Sequence, residues 1–274
     1  MADITLSGAV RTNLLTLQRT QTFIDATQSK LATGLRVNSA LDDAAAFFAS
    51  ASLSNRADDL NSLKADIDQG ISSLEAAIAG IEAITDLVEQ AKGIAVTAKA
   101  TSDTSERSSL SAQFNALLTQ IDDLTNDTSF SGTNLLKTSP DNLTVNFNED
   151  GSSALTIAGI DTTTAATGLN IAAAGNDFAS NTDIDAAITA VNSALTTLRT
   201  SASTLGSNAS VLQTRLTFTQ DLANTLEGGA GKLTQADLNF ESANLLALQT
   251  RQQLGINSLA LASQSERSIL ALFG

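Results

Sequence analysis

Three seams of apolar residues run through the chain at coiled-coil spacing. In the first, Leu60, Ile67, Leu74, Ile81, Val88 and Ala95 recur every seven residues. Leu63, Ala77, Ile84, Ala91 and Ala98 fill the position three further on, with Gly70 the one gap. A strict seven-residue repeat keeps its seam against a partner only when the helices supercoil left-handedly. The second seam, Leu110, Phe114, Leu117, Ile121 and Leu124, steps by 4, 3, 4, 3. Ahead of it, TSDTSER at 101–107 supplies Ser and Thr as N-cap candidates, with Glu106 close to the first turn. The third seam runs through Ile184, Ile188, Val191, Leu195, Leu198, Ala202, Leu205, Ala209, Leu212 and Leu216, and continues through Thr219 and Ala223 to Leu226. A helix of that length spans on the order of 60 Å. Three seams of one period predict a mostly α fold, a long antiparallel helical bundle or coiled coil. Its expected core is Leu60, Ile67, Leu74, Ile81, Val88, Phe114, Leu117, Ile121, Ile188, Leu195, Leu205 and Leu212.

The pattern changes over 129–183, which is rich in Ser, Thr, Asn, Asp and Gly. Leu143, Val145 and Phe147 alternate with polar residues, and Leu155 and Ile157 do the same after the Asp-Gly pair of NEDGSS. This predicts one β-hairpin near 143–158, with the rest an exposed excursion. The GGAGK stretch at 228–232 reads as a flexible joint between two helices.

Both ends of the chain are helical and apolar. Leu6, Val10, Leu14, Leu17, Ile24 and Leu31 form one apolar face. From Phe240 to Phe273, by way of Leu245, Leu246, Leu248, Leu254, Ile256, Leu259, Leu261, Ile269, Leu270 and Leu272, apolar residues cover nearly the whole circumference of a helix. A helix apolar all round is buried on all sides, and the N-terminal segment offers only one strong face to cover it. Burial among copies of the same chain resolves the mismatch, so self-assembly through the ends is expected. The expected interface residues are Leu6, Leu14, Leu17, Leu31, Arg36, Leu245, Leu248, Leu254, Leu259 and Leu261. Between the first helix and the first seam, KLATGLRVNSALDD at 30–43 interrupts the pattern: Gly34 and Asn38 let the chain turn, and Ser39 or Asp42 is the expected cap of the next helix.

Composition narrows the classes. There is no Trp, Tyr, His or Cys and one Pro among 274 residues, so burial rests on many small aliphatic contacts. A net charge of −14 disfavours nucleic acid and anionic membrane surfaces. The first residues lack the basic and apolar regions of a secretory signal, and no run reaches the roughly 18 apolar residues of a membrane span.

At this point the sequence resembles a known family. SKLATGLRVNSALDDAA at 29–45 and SNRADDLNSLKADIDQGISSLEAA at 54–77 are similar to the N-terminal signature of bacterial flagellins. SFSGTNLL at 129–136 resembles the close of their N-terminal region, and ADLNFESANLLALQTRQQLGINSLALASQSERSILALFG at 236–274 resembles their C-terminal ending. The resemblance implies a filament subunit, exported unfolded without a cleaved signal, whose two ends pair and fold on assembly into the inner tube. It also implies a layered organisation: 1–40 and 228–274 as the two halves of the inner coiled coil, 41–140 and 184–227 as the two parts of the bundle, and 141–183 as a short outer region. The partners it implies are further copies of the chain or of sister flagellins, an export chaperone, a filament cap and hook-junction proteins. A hook–filament junction protein or a flagellin-like adhesin are the alternative readings.

Catalysis has few residues to draw on. Without His or Cys there is no Ser-His-Asp triad, thiol nucleophile or zinc-protease motif. The Asp pairs 42/43, 58/59 and 122/123 lack Ca²⁺-loop spacing. GGAGKL lacks the first Gly and the final Ser or Thr of a phosphate-binding loop, at Leu226 and Leu233. No enzyme activity, metal or cofactor is expected.

Overall fold

A computed structural model describes residues 8–273. Leu6 lies outside the described residues, as do the side chains of Ile269, Leu270, Leu272 and Phe273. In chain order the elements are α1 (Gly8–Thr33), α2 (Ala44–Ala100), α3 (Thr104–Asp127), β1 (Leu143–Asn146), β2 (Ala154–Ile157), a short 3₁₀ turn (Gly175–Phe178), α4 (Asn181–Thr234) and α5 (Leu238–Phe273). The chain divides into two compact units: a central unit, Ala57–Asn224, and a terminal unit, Met1–Arg56 with Thr225–Gly274. The division falls inside α2 and α4.

In the central unit the three seams meet in one core with the hairpin and the loops on either side of it. Ten of the twelve residues named from the heptads are buried, and Leu117 and Ile188 pack half-buried against the same cluster. The Gly70 gap has a physical reason. A Cβ there would lie 2.6 Å from Val145 Cγ2, so the missing side chain is the space that β1 fills. β1 and β2 pair antiparallel, with Leu143 opposite Ile157 and Asn146 opposite Ala154. Val145 and Ile157 face the helices and are buried, and the Arg215 guanidinium lies 4.9 Å from the centre of the Phe147 ring.

Gly80 makes a similar close approach. A Cβ at this position would lie 2.5 Å from Thr128 Cγ2 and 3.0 Å from Leu136 Cδ1. Thr128 cannot swing away freely, because its hydroxyl donates to the Leu124 carbonyl at 2.7 Å. Helical Gly→Ala normally stabilises by up to about 1 kcal/mol. Overpacking reverses the sign here, and G80A is expected to destabilise by about 1–3 kcal/mol. G93A, on the same helix with nothing within 4 Å of its Cβ, is the control and should raise the melting temperature. Parallel thermal unfolding of the two variants checks the pair, and a rise for both would refute the packing argument.

The expectation of an exposed excursion through 129–183 is corrected. Leu135, Leu136, Leu169, Ile171 and Phe178 are buried in the core, and Thr162 and Thr163 are buried with them. Backbone-directed hydrogen bonds make that burial possible for a loop. Asn134 is the clearest case. Its Nδ2 donates to the carbonyls of Thr125 and Asn126, its Oδ1 accepts from the amides of Leu136 and Lys137, and its own amide donates to Asp141. The C-terminal carbonyls of α3 are thereby satisfied by the chain that leaves it. Arg107 does the same at the other end of α3, donating to the Thr101 and Ala179 carbonyls and to Asn181 Oδ1.

Two caps differ from expectation. Asp103, not a Ser or Thr, caps α3 by accepting from the Ser105 amide at 2.9 Å. Asp43, not Ser39 or Asp42, accepts from the Ala46 amide at the start of α2. In both places an acidic side chain faces the positive end of the helix dipole. The expected joint at 228–232 is also absent. α4 continues to Thr234, with Ala230 buried, Gly229 against Leu53, and the Ser50 hydroxyl donating to the Ala230 carbonyl at 3.1 Å. The helix runs through the glycines without a break.

Candidate assembly interface

The terminal unit is built on the antiparallel pairing of α1 with α5. Its buried seam is mixed: Val10, Ile24 and Leu248 are apolar, whereas Thr20, Thr27 and Glu241 are polar. The segment 34–37 after α1 meets the last residue of α4 and the two that follow it, 234–236. Gly34, at φ +71°, ends α1 with its amide on the Lys30 carbonyl, a left-handed C-terminal cap. The Gly34 carbonyl then accepts from the Ala236 amide, and the amides of Arg36 and Val37 both donate to the Thr234 carbonyl. Leu35 and Gln235 form a β-bridge, and Val37 is buried. The Arg36 guanidinium donates to the Leu233 carbonyl at 2.9 Å, complementing the negative end of α4. Part of the hydrogen-bonding capacity of Arg36 is therefore committed to its own chain, although the residue is exposed.

The turn at 38–43 is held by Asp42. One carboxylate oxygen accepts from the amides of Asn38 and Ser39 and from the Ser39 hydroxyl. The Ser39 and Asn38 amides hold this carboxyl below its ordinary range. Leu41, at the crest of the turn, is 97% exposed.

The ten residues expected at the interface divide by placement. Leu248 is buried in the α1–α5 seam; Leu17, Leu31, Leu245 and Leu259 are half-buried; Leu14, Leu254 and Leu261 are exposed, the last at 72%. Arg36 lies on the connecting segment, and Leu6 is outside the described residues. Around them the surface carries further apolar side chains: Leu15, Phe23, Phe48, Leu238, Phe240, Leu246 and Ile256. Burial of Thr20 and Thr27 on the α1 seam left no trace in a hydrophobic pattern, so that seam was drawn through Leu14 instead.

Comparison with known proteins decides the family. Residues 6–140 match the bacterial flagellin N-terminal helical region, and residues 188–273 match the bacterial flagellin C-terminal helical region. The chain belongs to the bacterial flagellins. It is 53% identical over 60 residues to the flagellin FljM of Caulobacter vibrioides, covering 22% of each chain. It is 49% identical over 57 residues to a flagellin of Brucella melitensis, covering 21% of this chain and 20% of that one. These alignments thus span about a fifth of the length of the curated relatives. The crystal structure of Bacillus cereus flagellin is similar with a TM-score of 0.49 and 18% identity, over 56% of this chain and 88% of that chain. In this flagellin, the terminal unit joins segments from the two family regions, α1 from one and α5 from the other.

Proposed function

We propose that this flagellin is the structural subunit of a bacterial flagellar filament, polymerising through its terminal unit. One observation carries the reading. Of the fourteen large hydrophobic residues exposed among the described residues, eleven lie in the terminal unit and only Val96, Val211 and Phe218 in the central one. An acidic chain with so uneven a distribution of exposed apolar surface has one part designed to be covered. Each such side chain gains about 2 kcal/mol when fully buried. Ordering the ends costs about 1–2 kcal/mol per residue of backbone. The ends therefore fold stably only when further copies cover them, and α1 and α5 become the filament's inner tube on assembly. Arg36 is a contact point for an acidic neighbour, through the donors that Leu233 does not use. The product is extracellular, exported without a cleaved signal, and its role is structural, not catalytic. A chaperone covering the apolar ends before export, a filament cap and hook-junction proteins complete the set of partners. No helix among the described residues is long and apolar enough to cross a membrane.

The test is polymerisation of the purified chain. Seeded with short filament fragments, it is expected to grow tubular filaments visible by negative-stain electron microscopy. A chain that stays monomeric under seeding, at any protein concentration or salt, overturns the reading.

A further inference from the structure

The α1–α5 pairing contains an oxygen with no partner. The Glu241 side chain is 8% exposed, its Oε1 lies 3.3 Å from Lys30 Nζ, and its Oε2 is buried without a hydrogen bond. A buried, half-satisfied carboxylate is destabilising relative to an apolar residue of similar size. Next to it, Asn244 Nδ2 donates to the buried Thr27 Oγ1 at 3.5 Å. Thr27 and Lys30 are three residues apart on α1, and Glu241 and Asn244 are three apart on α5, so each pair shares a helix face. Further along, Gln252 Nε2 donates to Gln21 Oε1 at 2.7 Å. Beyond that, Leu17 sits on Gly255, where a Cβ would lie 2.8 Å from Leu17 Cδ2. Residues 30, 27, 21 and 17 of α1 thus meet 241, 244, 252 and 255 of α5, and all four contacts agree on one antiparallel register.

We propose that the Lys30–Glu241 clasp is a specificity determinant that holds α1 and α5 in this single register, at a cost in stability. A polar contact satisfied in only one alignment penalises every other alignment. A slide of one helical turn puts Leu245 opposite Lys30, leaves Glu241 opposite Gly34 at the end of α1, and brings Leu17 against Leu259. Apolar contact alone would tolerate that slide, because α5 presents leucines on several faces. The clasp also suits the helix dipoles, with Lys30 in the last turn of α1 and Glu241 in the first turn of α5. The proposal rests on the reading that the ends fold as copies cover them, and it concerns the alignment of α1 with α5 within each chain.

The native chain has no cysteine, so introduced pairs report register without background. Gln21→Cys with Gln252→Cys samples the observed register, and Gln21→Cys with Ile256→Cys samples the one-turn slide. Intrachain products are separated from interchain dimers by non-reducing electrophoresis, in both the soluble and the sedimenting fractions of the full-length chain. With the clasp intact, the first pair is expected to cross-link about tenfold more than the second, a preference set by a partly exposed ion pair. In a K30L/E241L background the preference should collapse to near parity while helicity by circular dichroism is retained. Equal yields with the clasp intact, or an undiminished preference in K30L/E241L, would overturn the proposal. Loss of helicity in that variant would do so as well, because the pair would then be structural support and not a register selector.

Discussion

A chain ending at Gln235 is expected to lose polymerisation altogether while its central unit stays folded. The deletion removes α5 and with it six of the exposed apolar side chains, from Leu238 to Leu261. It also strips α1 of its pairing partner. None of the central core is touched, since every residue of the buried cluster lies between Ile67 and Leu212. The two consequences separate cleanly in measurement. Sedimentation and electron microscopy should find no polymer from the truncated chain, even with seeds. Circular dichroism should show a loss of helix no larger than α1 and α5 account for, with a cooperative thermal transition close to that of the full chain. Filaments of normal morphology from the truncated chain would refute the assignment of the ends to assembly. Loss of the cooperative transition would refute the independence of the central unit.

What the sequence revealed depended on the kind of packing involved. Heptad seams were legible because α2, α3 and α4 each bury a regular stripe against the others, and a stripe repeats at a fixed spacing. The hairpin was legible for the corresponding reason at period two. Gly70 was visible as a gap, but only the position of Val145 explains it. Asn134 and Arg107 escaped notice because their work is to satisfy backbone carbonyls, a role that leaves no periodicity. The caps were misplaced because Ser, Thr and Asp are all good caps, and the choice among neighbours depends on where the chain turns. The burial of Thr162, Thr163, Leu169, Ile171 and Phe178 was missed since loop segments with Ser, Thr and Gly look exposed unless their hydrogen-bond partners are known. In the terminal unit the apolar residues of α5 were evident, yet the polar contacts that align it with α1 were not. A charge such as Glu241 reads as solvated until its partner on a distant segment is in place.

Phe114→Ala is expected to be the most destabilising single substitution in the central unit. Phe114 and Phe178 are both fully buried, their ring centres 5.4 Å apart at an interplanar angle of 65°, an edge-to-face pair. Phe178 closes a turn in which Asn176, Asp177 and Phe178 all have left-handed backbone, with φ of 43°, 51° and 59°. For residues with a Cβ, that conformation costs about 1–2 kcal/mol each. The turn is held by burial of the Phe178 ring, by Asn115 Oδ1 accepting from the Ala174 amide, and by Arg107 on the Ala179 carbonyl. Removing the Phe114 ring creates a cavity under Phe178 and withdraws the contact that offsets the strain. The expected loss is about 4 kcal/mol in urea unfolding, with amide exchange accelerated first at 174–180. Since the two rings share one contact, the F114A/F178A double variant should be less destabilised than the two single effects combined. A loss below about 1 kcal/mol for F114A, far under the usual cost of a buried Phe→Ala, would show that the ring pair does not anchor the turn. So would strict additivity in the double variant.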